Sequence, residues 1–257
     1  MTPLLTVENP AYFAQLAAIE SRHWWSLAMW KVVSHWLDAS LVGRSHLRAL
    51  DIGCGAGQTI RRLGLRPEIT SVVGLDPSPE ALRHARRHGS ALLLGSALEL
   101  PFSDRLFDVV TCFDVLQHVS PGSDQHAASE IYRVLSPGGL AVVRSNAQGL
   151  SRNRAVYTLH ALVDVLSGAG LHVENATYVN TLPALSQEIR GRLSRRRDGR
   201  STSHPAGGGL TIRMPHPALN RLLGLVSSAE AWIAGRLRLP LPFGHSTLLL
   251  ARRPSRD

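Results

Sequence analysis

The chain has 257 residues, 44% of them hydrophobic, which is enough to bury the core of one large domain. Two cysteines exclude a disulfide framework, no apolar run approaches the roughly 20 residues of a membrane span, and the start MTPLLTVENP lacks the order of a secretory signal. The net charge is +9, but Lys31 is the only lysine, and this arginine excess favours a codon bias over a surface selected to bind phosphates. We therefore expect a soluble, cytoplasmic protein without a membrane span.

Short apolar runs alternate with amphipathic stretches through the middle of the chain, which predicts βαβ units and a mostly parallel sheet. The predicted helices end at glycine or Ser-Pro-Gly-Gly signals. The predicted strands are 47–52, 71–75, 91–94, 107–113, 140–144, 171–179 and 246–252. The predicted helices are 58–63, 79–88, 124–135, 155–168 and 217–237.

Four segments follow from this pattern. Residues 1–46 contain an aromatic, helix-compatible stretch and are predicted to form a helical cap or lid, and 47–182 form the α/β core. Residues 183–245 are a basic loop and helical insertion expected near the functional site, with the Arg-rich run RGRLSRRRDGR at 190–200. Residues 246–257 supply a closing strand of the core sheet and a tail.

The most informative motif is LDIGCGAGQ, in which an apolar strand leads directly into Gly53-x-Gly55-x-Gly57 and then into a helix. Glycine permits positive φ angles and removes the Cβ that would keep a ligand from the backbone. The free N–H groups of the helix that follows favour an anionic ligand. The spacing differs from G-x-G-x-x-G, so a dinucleotide is disfavoured.

Acidic residues flank this turn. Asp51 precedes it, where the carboxylate can accept hydrogen bonds from a ligand ammonium group. Asp76 ends the next strand, about 20 residues after the glycines, at a position suited to ribose hydroxyls. Because ligands of open α/β sheets bind outside the carboxyl ends of the strands, these groups are expected to converge on one site, together with the segments that follow the third and fourth strands.

With these motifs the sequence from 50 to 144 resembles the class I S-adenosylmethionine-dependent methyltransferases, and most closely the ubiquinone/menaquinone-biosynthesis type, methyltransferase type 11. The matching segments are LDIGCGAGQ, GLDPSPEAL, LPF followed by FDVV, and LSPGGLAVV. The resemblance implies a Rossmann-like fold with a seven-stranded, mostly parallel sheet, an antiparallel last strand and helices on both faces.

The resemblance also implies a cofactor, S-adenosylmethionine, whose product is S-adenosylhomocysteine. The glycines would face the methionine part, Asp76 the ribose, and Ser96, Ala97 and Leu98 the adenine. Relatives usually have Gly-Asp-Ala-Glu where this chain has Gly95-Ser96-Ala97-Leu98, so a serine replaces the aspartate that binds the adenine amino group. The predicted cofactor contacts are Asp51, Gly53, Cys54, Gly55, Gly57, Gln58, Asp76, Pro77, Ser96, Ala97, Leu98 and Phe113.

The motif Glu20-x-x-His23-Trp24-Trp25 resembles a segment that precedes the core in a subset of this family, although an arginine that usually follows the tryptophans is missing. Trp24 and Trp25 are candidates for substrate contact. The sequence leaves open whether these aromatic side chains contact a substrate or only anchor a helix on the sheet.

Methyl transfer from a sulfonium depends mostly on placing the acceptor, so no conspicuous catalytic triad is expected. His118, after the fourth strand, is the best candidate for a general base and for substrate contact, and His23 is the second. A purely structural histidine remains the alternative for each. No Cys/His cluster has metal-ligand spacing, so no metal is expected.

Three functions are consistent with the sequence. The first is methylation of oxygen, nitrogen or carbon in a small molecule of specialised-metabolite, quinone, lipid or sugar biosynthesis. The second is an RNA or protein methyltransferase that uses the Arg-rich run, although no nucleic-acid-binding module is recognisable and a nucleic-acid partner is not favoured. The third is a cofactor-binding relative without transferase activity.

Overall fold

The computed structural model describes residues 11–88, 91–120, 122–147, 157–181, 184–185 and 214–255. The helices are α1 (Ala11–Arg22), α2 (Trp24–Ser40), α3 (Gln58–Gly64), α4 (Pro79–Ala85), α5 (Asp124–Val134), α6 (Leu159–Gly168) and α7 (Pro217–Ala231). The strands are β1 (Leu47–Ile52), β2 (Ile69–Asp76), β3 (Ala91–Leu94), β4 (Phe107–Phe113), β5 (Leu135–Asn146), β6 (His172–Val179) and β7 (Ser246–Arg252). The Arg-rich run 190–200 lies outside the described residues.

The strands form one sheet in the order β3-β2-β1-β4-β5-β7-β6. Strands β1 to β5 pair in parallel, whereas β7 lies antiparallel between β5 and β6, with Leu249 opposite both Val143 and Ala176. The chain reverses its winding where β1 pairs with both β2 and β4, and such a switch point opens a crevice at the carboxyl ends of the strands. The predicted seven-stranded sheet is confirmed.

Two apolar cores lie on opposite faces of this sheet, because successive side chains of a strand point to opposite faces. Leu248 and Leu250 of β7 belong to a core with Val33 and Leu37 of α2. Leu249 belongs to the other core, to which α5 and α6 contribute. The prediction of helices on both faces is therefore confirmed.

The amino-terminal aromatic stretch forms two helices that break at His23. The His23 backbone is extended (φ −72°, ψ 132°), and its Nδ1 accepts a hydrogen bond from the Trp25 N–H at 3.4 Å, which caps α2. Trp36 is almost fully buried, and its Nε1 donates to the Ala234 carbonyl at 3.0 Å. The second half of α2 is thus part of the core.

Some element bounds differ from the sequence prediction. The helix predicted from 155 begins at Leu159, because Thr158 Oγ1 accepts a hydrogen bond from the Ala161 N–H and caps it there; 155 and 156 are not described. Strand β5 begins at Leu135 and not at 140, because Leu135 already pairs with Phe107. The predicted helix 217–237 is α-helical to Ala231 and continues as a π-helical turn, Trp232–Arg236.

None of the helices in the described part of the chain is long and apolar enough to cross a membrane. The division into the segments 1–46, 47–182, 183–245 and 246–257 stays a prediction.

Candidate active site

The turn after β1 is fixed by the end of β2. The N–H groups of Gly53 and Cys54 both donate to the Leu75 carbonyl, at 2.7 and 3.0 Å. Gly53 has φ +67°, and a Cβ there would lie 2.3 Å from Val115 Cγ2, so any side chain would collide with the segment after β4. Gly55 also has a positive φ of +52°, but its Cβ position has no atom of the described residues within 4 Å. The turn is therefore closed at Gly53 and open at Gly55.

Asp76 joins this turn to the turn after β2. Its Oδ2 accepts a hydrogen bond from the Gly55 N–H at 2.9 Å, and its Oδ1 accepts one from the Ser78 N–H, also at 2.9 Å. Burial raises the pKa of Asp76, while these two donors oppose the shift. Each carboxylate oxygen retains a second lone pair that can accept a hydrogen bond from a ligand hydroxyl.

Asp51 lies deeper, at the end of β1, and is only 2% exposed. Its Oδ1 accepts a hydrogen bond from Thr111 Oγ1 at 2.7 Å, but its buried Oδ2 has no partner among the described residues. Burial raises the pKa of Asp51 to about 8, and the negative charges of Glu20 and Asp76 act in the same direction. A buried carboxyl oxygen without a partner, near enough to other acids to feel their charge, is suited to a cationic donor that would stabilise its ionised form.

The turn after β3 adjoins Asp76, because the Gly95 N–H donates to the Asp76 carbonyl at 3.2 Å. Ser96 is exposed, and its Oγ accepts a hydrogen bond from the Leu98 N–H at 3.1 Å, so the hydroxyl closes its own turn. Ala97 is buried and Leu98 is half-buried. The three residues predicted to border the adenine thus form one turn beside Asp76.

The other residues predicted to contact the cofactor differ in burial and in position. The Cys54 thiol is buried in the core, and burial raises its pKa, so its side chain packs on the sheet. Gln58 is buried at the start of α3, Pro77 is exposed, and Phe113 is half-buried at the end of β4. Gly57 has φ +85° and is the N-cap of α3.

A buried arginine occupies the carboxyl ends of β4 and β5. The Arg144 guanidinium lies 5.8 Å from the ring centre of Trp25 and 5.7 Å from that of Phe113, and its Nε donates to Asp114 Oδ1 at 3.1 Å. Burial lowers the pKa of Arg144 to about 10, which leaves it charged at neutral pH. This cation therefore holds the first turn of α2 over the carboxyl ends of β4 and β5.

The end of α1 is joined to the glycine turn through α3. One Arg62 guanidinium nitrogen donates to the Glu20 carbonyl at 2.9 Å, and the guanidinium lies 5.3 Å from the ring centre of Trp30. Burial raises the pKa of the Glu20 carboxyl, while the positive charges of Arg144 and Arg62 oppose this shift. Since the Glu20 charge also acts on Asp51, the amino-terminal helices contribute to the electrostatics of the crevice.

Sequence reasoning assigned no site role to Glu20, Arg62, Asp114 or Arg144. Two of them carried a usable signal. Arg144 is a charged residue in the otherwise apolar run LAVVRS, and Glu20 opens the motif that ends in paired tryptophans. Arg62 and Asp114 depend on long-range contacts that local pattern does not encode.

The two histidines predicted as bases occupy different environments. His23 is buried, its Nδ1 is the α2 cap, and burial lowers its pKa to about 4, which makes it a weak base. His118 ends a short 3-10 turn after β4, and its side chain is exposed. Trp24 is buried, and its backbone N–H donates to Asn220 Oδ1 at 3.2 Å, whereas Trp25 is half-buried against Arg144. Within the described ranges, no three His, Cys, Asp or Glu side chains are grouped as metal ligands.

The strand order, the antiparallel β7 and the glycine turn between β1 and α3 define the Rossmann-like class I methyltransferase fold. Residues 50–143 match the family model described as "Methyltransferase domain". The predicted resemblance to the type 11 group of S-adenosylmethionine-dependent methyltransferases is confirmed over this segment.

Curated relatives match the same part of the chain. An uncharacterised methyltransferase of Synechocystis sp. is 37% identical over 95 residues, which are 36% of this chain and 44% of that protein. The demethylmenaquinone methyltransferase of Symbiobacterium thermophilum is 35% identical over 124 residues, 43% of this chain and 49% of that protein. The matched segments thus span less than half the length of these relatives.

Among solved structures, the complex between the Haloferax volcanii Trm112 methyltransferase activator and "the putative methyltransferase" contains a chain that shares the fold over 97% of this chain and 99% of that chain. Its TM-score is 0.58 and its sequence identity is 20%. The likeness to this structure is one of fold and is not confined to residues 50–143.

The environment of Asp51 predicts a specific pH dependence of stability. Because its folded pKa of about 8 exceeds the unfolded value, folding favours the protonated form, and the Asp51 contribution to stability falls as pH rises from about 4 to about 8. Asp51→Asn removes this penalty and keeps an acceptor for Thr111. The free energy of unfolding of the variant should gain more than about 1.4 kcal/mol on the parent between pH 5 and pH 9 in urea titrations. Asp164→Asn, at an exposed position of α6, is the control and should follow the parent. A constant difference between Asp51→Asn and the parent would contradict the assignment.

Proposed function

We propose that this protein transfers a methyl group from S-adenosylmethionine to a small-molecule acceptor and releases S-adenosylhomocysteine. The buried Oδ2 of Asp51, which has no partner among the described residues, is the observation that supports this most strongly, and the open Cβ position of Gly55 in the following turn adds to it. A buried polar oxygen without a hydrogen-bond partner is costly unless a ligand supplies that partner. The methyltransferase family match supplies the class of ligand.

The proposed cofactor site extends along the crevice from Asp51 to the turn at Ser96. Asp51 would accept from the methionine ammonium, the backbone at Gly55 would lie against the same part, and Asp76 would accept from the ribose hydroxyls. The turn from Ser96 to Leu98 would border the adenine. Bound there, the cofactor supplies a methyl group activated by the sulfonium. The predicted contacts of Gln58, Pro77 and Phe113 would complete the proposed cofactor site, whereas Gly53, Cys54 and Gly57 would contribute backbone atoms only, because the Cys54 thiol packs in the core and the Cβ positions of Gly53 and Gly57 are filled by neighbouring atoms.

We place the acceptor on the side of Trp25, Phe113 and Arg144, at the carboxyl ends of β4 and β5. Aromatic faces and a buried cation at this edge can orient a compact acceptor and exclude water. Proximity and orientation can supply up to roughly 7–11 kcal/mol of the barrier to such a displacement. Trp25 is the better candidate for acceptor contact, because Trp24 is buried against α7.

A small-molecule acceptor is supported by the named relative, a demethylmenaquinone methyltransferase. Quinone, lipid, sugar and specialised-metabolite acceptors all belong to this class. An RNA or protein substrate would use the Arg-rich run 190–200, which lies outside the described residues, so no observation favours that alternative.

The direct test is transfer of a labelled methyl group from S-adenosylmethionine to phenolic, amine and quinol acceptors. Label recovered in a small molecule supports the proposal. Cofactor binding without transfer to any acceptor, or label recovered only in RNA or protein, would contradict it.

A substitution at Gly55 tests the cofactor site. Gly55→Ala places a Cβ on the open face of the turn and should weaken S-adenosylhomocysteine binding by at least about tenfold, or 1.4 kcal/mol, in isothermal titration calorimetry. Gly43→Ala is a matched control, because Gly43 also has a positive φ (+74°) and open space around its Cβ position but precedes β1. Equal loss of affinity in both variants would mean that backbone strain causes the effect, and would contradict the assignment of Gly55 to the cofactor site.

Where the acceptor must lose a proton, we propose that His118 takes it, since the imidazole of His23 is neutral and used as a helix cap. His118→Ala should then lower kcat about 10²-fold or more without changing S-adenosylhomocysteine affinity. His126→Ala, at another exposed histidine on α5, should leave kcat unchanged. An unaltered kcat in His118→Ala would contradict the proposed role as a base and would favour a structural role for this residue.

A further inference from the structure

Helix α7 has one face bound to α2 and another exposed to solvent. On the inner side, Lys31 Nζ donates to Ser228 Oγ at 2.7 Å, and Ser227 and Ala231 are buried. On the outer side, large apolar side chains are about half exposed or more, and Leu225 reaches 71%. We define this apolar face as Leu219, Leu222, Leu225, Val226 and Trp232.

The apolar face is a continuous stripe. From Leu219 to Val226 its members are three or four residues apart, and Trp232 follows seven residues after Leu225, at the start of the π-helical turn, so they lie on one side of the helix. The chain then continues as LRLPLPF, in which Leu237, Leu239 and Phe243 are also about half exposed. Contiguous apolar exposure of this kind marks an interaction surface, whereas single exposed leucines do not.

The exposed charged side chains of residues 214–243 are all positive. Residues 214–243 contain Arg221, Arg236 and Arg238, all exposed, and one acid, Glu230. The Glu230 carboxylate accepts hydrogen bonds from the Asn180 N–H at 2.6 Å and from Thr181 Oγ1 at 2.5 Å, so its charge is directed to the body of the protein. The apolar face is therefore accompanied by cations without exposed acids.

We propose that the apolar face of α7 docks on an anionic lipid bilayer. Aliphatic side chains and a tryptophan on one helix face, flanked by arginines, are the composition with which a helix lies in the plane of a membrane interface. The apolar side chains enter the boundary of the acyl chains, and each arginine adds about 1 kcal/mol of attraction to anionic headgroups. This docking is peripheral and independent of the proposed methyl transfer.

A second copy of the chain is a poorer occupant of this surface. In a two-fold dimer the same patch is used by both subunits. The arginines of one apolar face would then lie near those of the other, with no exposed acid in residues 214–243 to pair with them. An anionic bilayer supplies both the apolar volume and the negative charge.

The test is co-sedimentation of the full chain with vesicles of equimolar phosphatidylglycerol and phosphatidylcholine, compared with vesicles of phosphatidylcholine alone. The parent should bind the anionic vesicles at least about tenfold more tightly, and added salt should weaken this binding. Leu225→Glu should reduce the binding at least about tenfold, because burial of one leucine contributes roughly 1.5–3 kcal/mol. Leu65→Glu, at a leucine that is 73% exposed next to α3, is the matched control and should bind like the parent.

Circular dichroism of both variants establishes that they are folded. Equal binding of the two variants, or no preference of the parent for anionic vesicles, would overturn the proposal. A parent that fails to bind vesicles and sediments as a dimer, with Leu225→Glu as a monomer, would overturn it in favour of a second copy.

Discussion

The carboxylate of Asp51 is the constraint on which the account of the site depends. It is buried at the end of a central strand, with one oxygen bonded to Thr111 and the other without a partner in the described residues. Desolvation of such a charge is unfavourable, and the pKa of about 8 expresses that cost. The buried Asp51 carboxylate destabilises the folded chain when no ligand is bound. We attribute its presence to the cationic group that the proposed site would bind.

The surrounding structure maintains this arrangement from two directions. Asp76 ties the glycine turn to the end of β2, because its Oδ2 accepts a hydrogen bond from the Gly55 N–H. Arg144 and Arg62 hold the amino-terminal helices over the same edge, through Trp25 and through the Glu20 carbonyl. The negative charges of Glu20 and Asp76 act on Asp51 as well. They favour the binding of a cationic group in the crevice and disfavour the binding of an anion.

The core fold was predictable from sequence because its signals are local. The apolar runs of β1, β3, β4 and β7 gave their bounds, and the glycine spacing separated this turn from a dinucleotide site. The break at His23 was missed, since a side-chain cap decides it and not periodicity. The cluster of Glu20, Arg62 and Arg144 was missed as well, because it joins α1, α3 and β5, and only the fold brings these elements together. His23 and His118 were both candidate bases from sequence. Their side chains differ in burial, and burial is a property of the tertiary structure that the sequence pattern does not give.

The central claim is that a ligand ammonium group binds the Asp51 carboxylate, and proton linkage tests it most directly. At pH 7 a group with a pKa of about 8 is mostly protonated, and a cation at Oδ2 would lower that pKa. Calorimetric titration with S-adenosylhomocysteine in buffers of different ionisation enthalpy should therefore show release of close to one proton by the parent. The Asp51→Asn variant should release about one proton fewer. Binding without proton release in the parent, or with the same release in both proteins, would contradict the account.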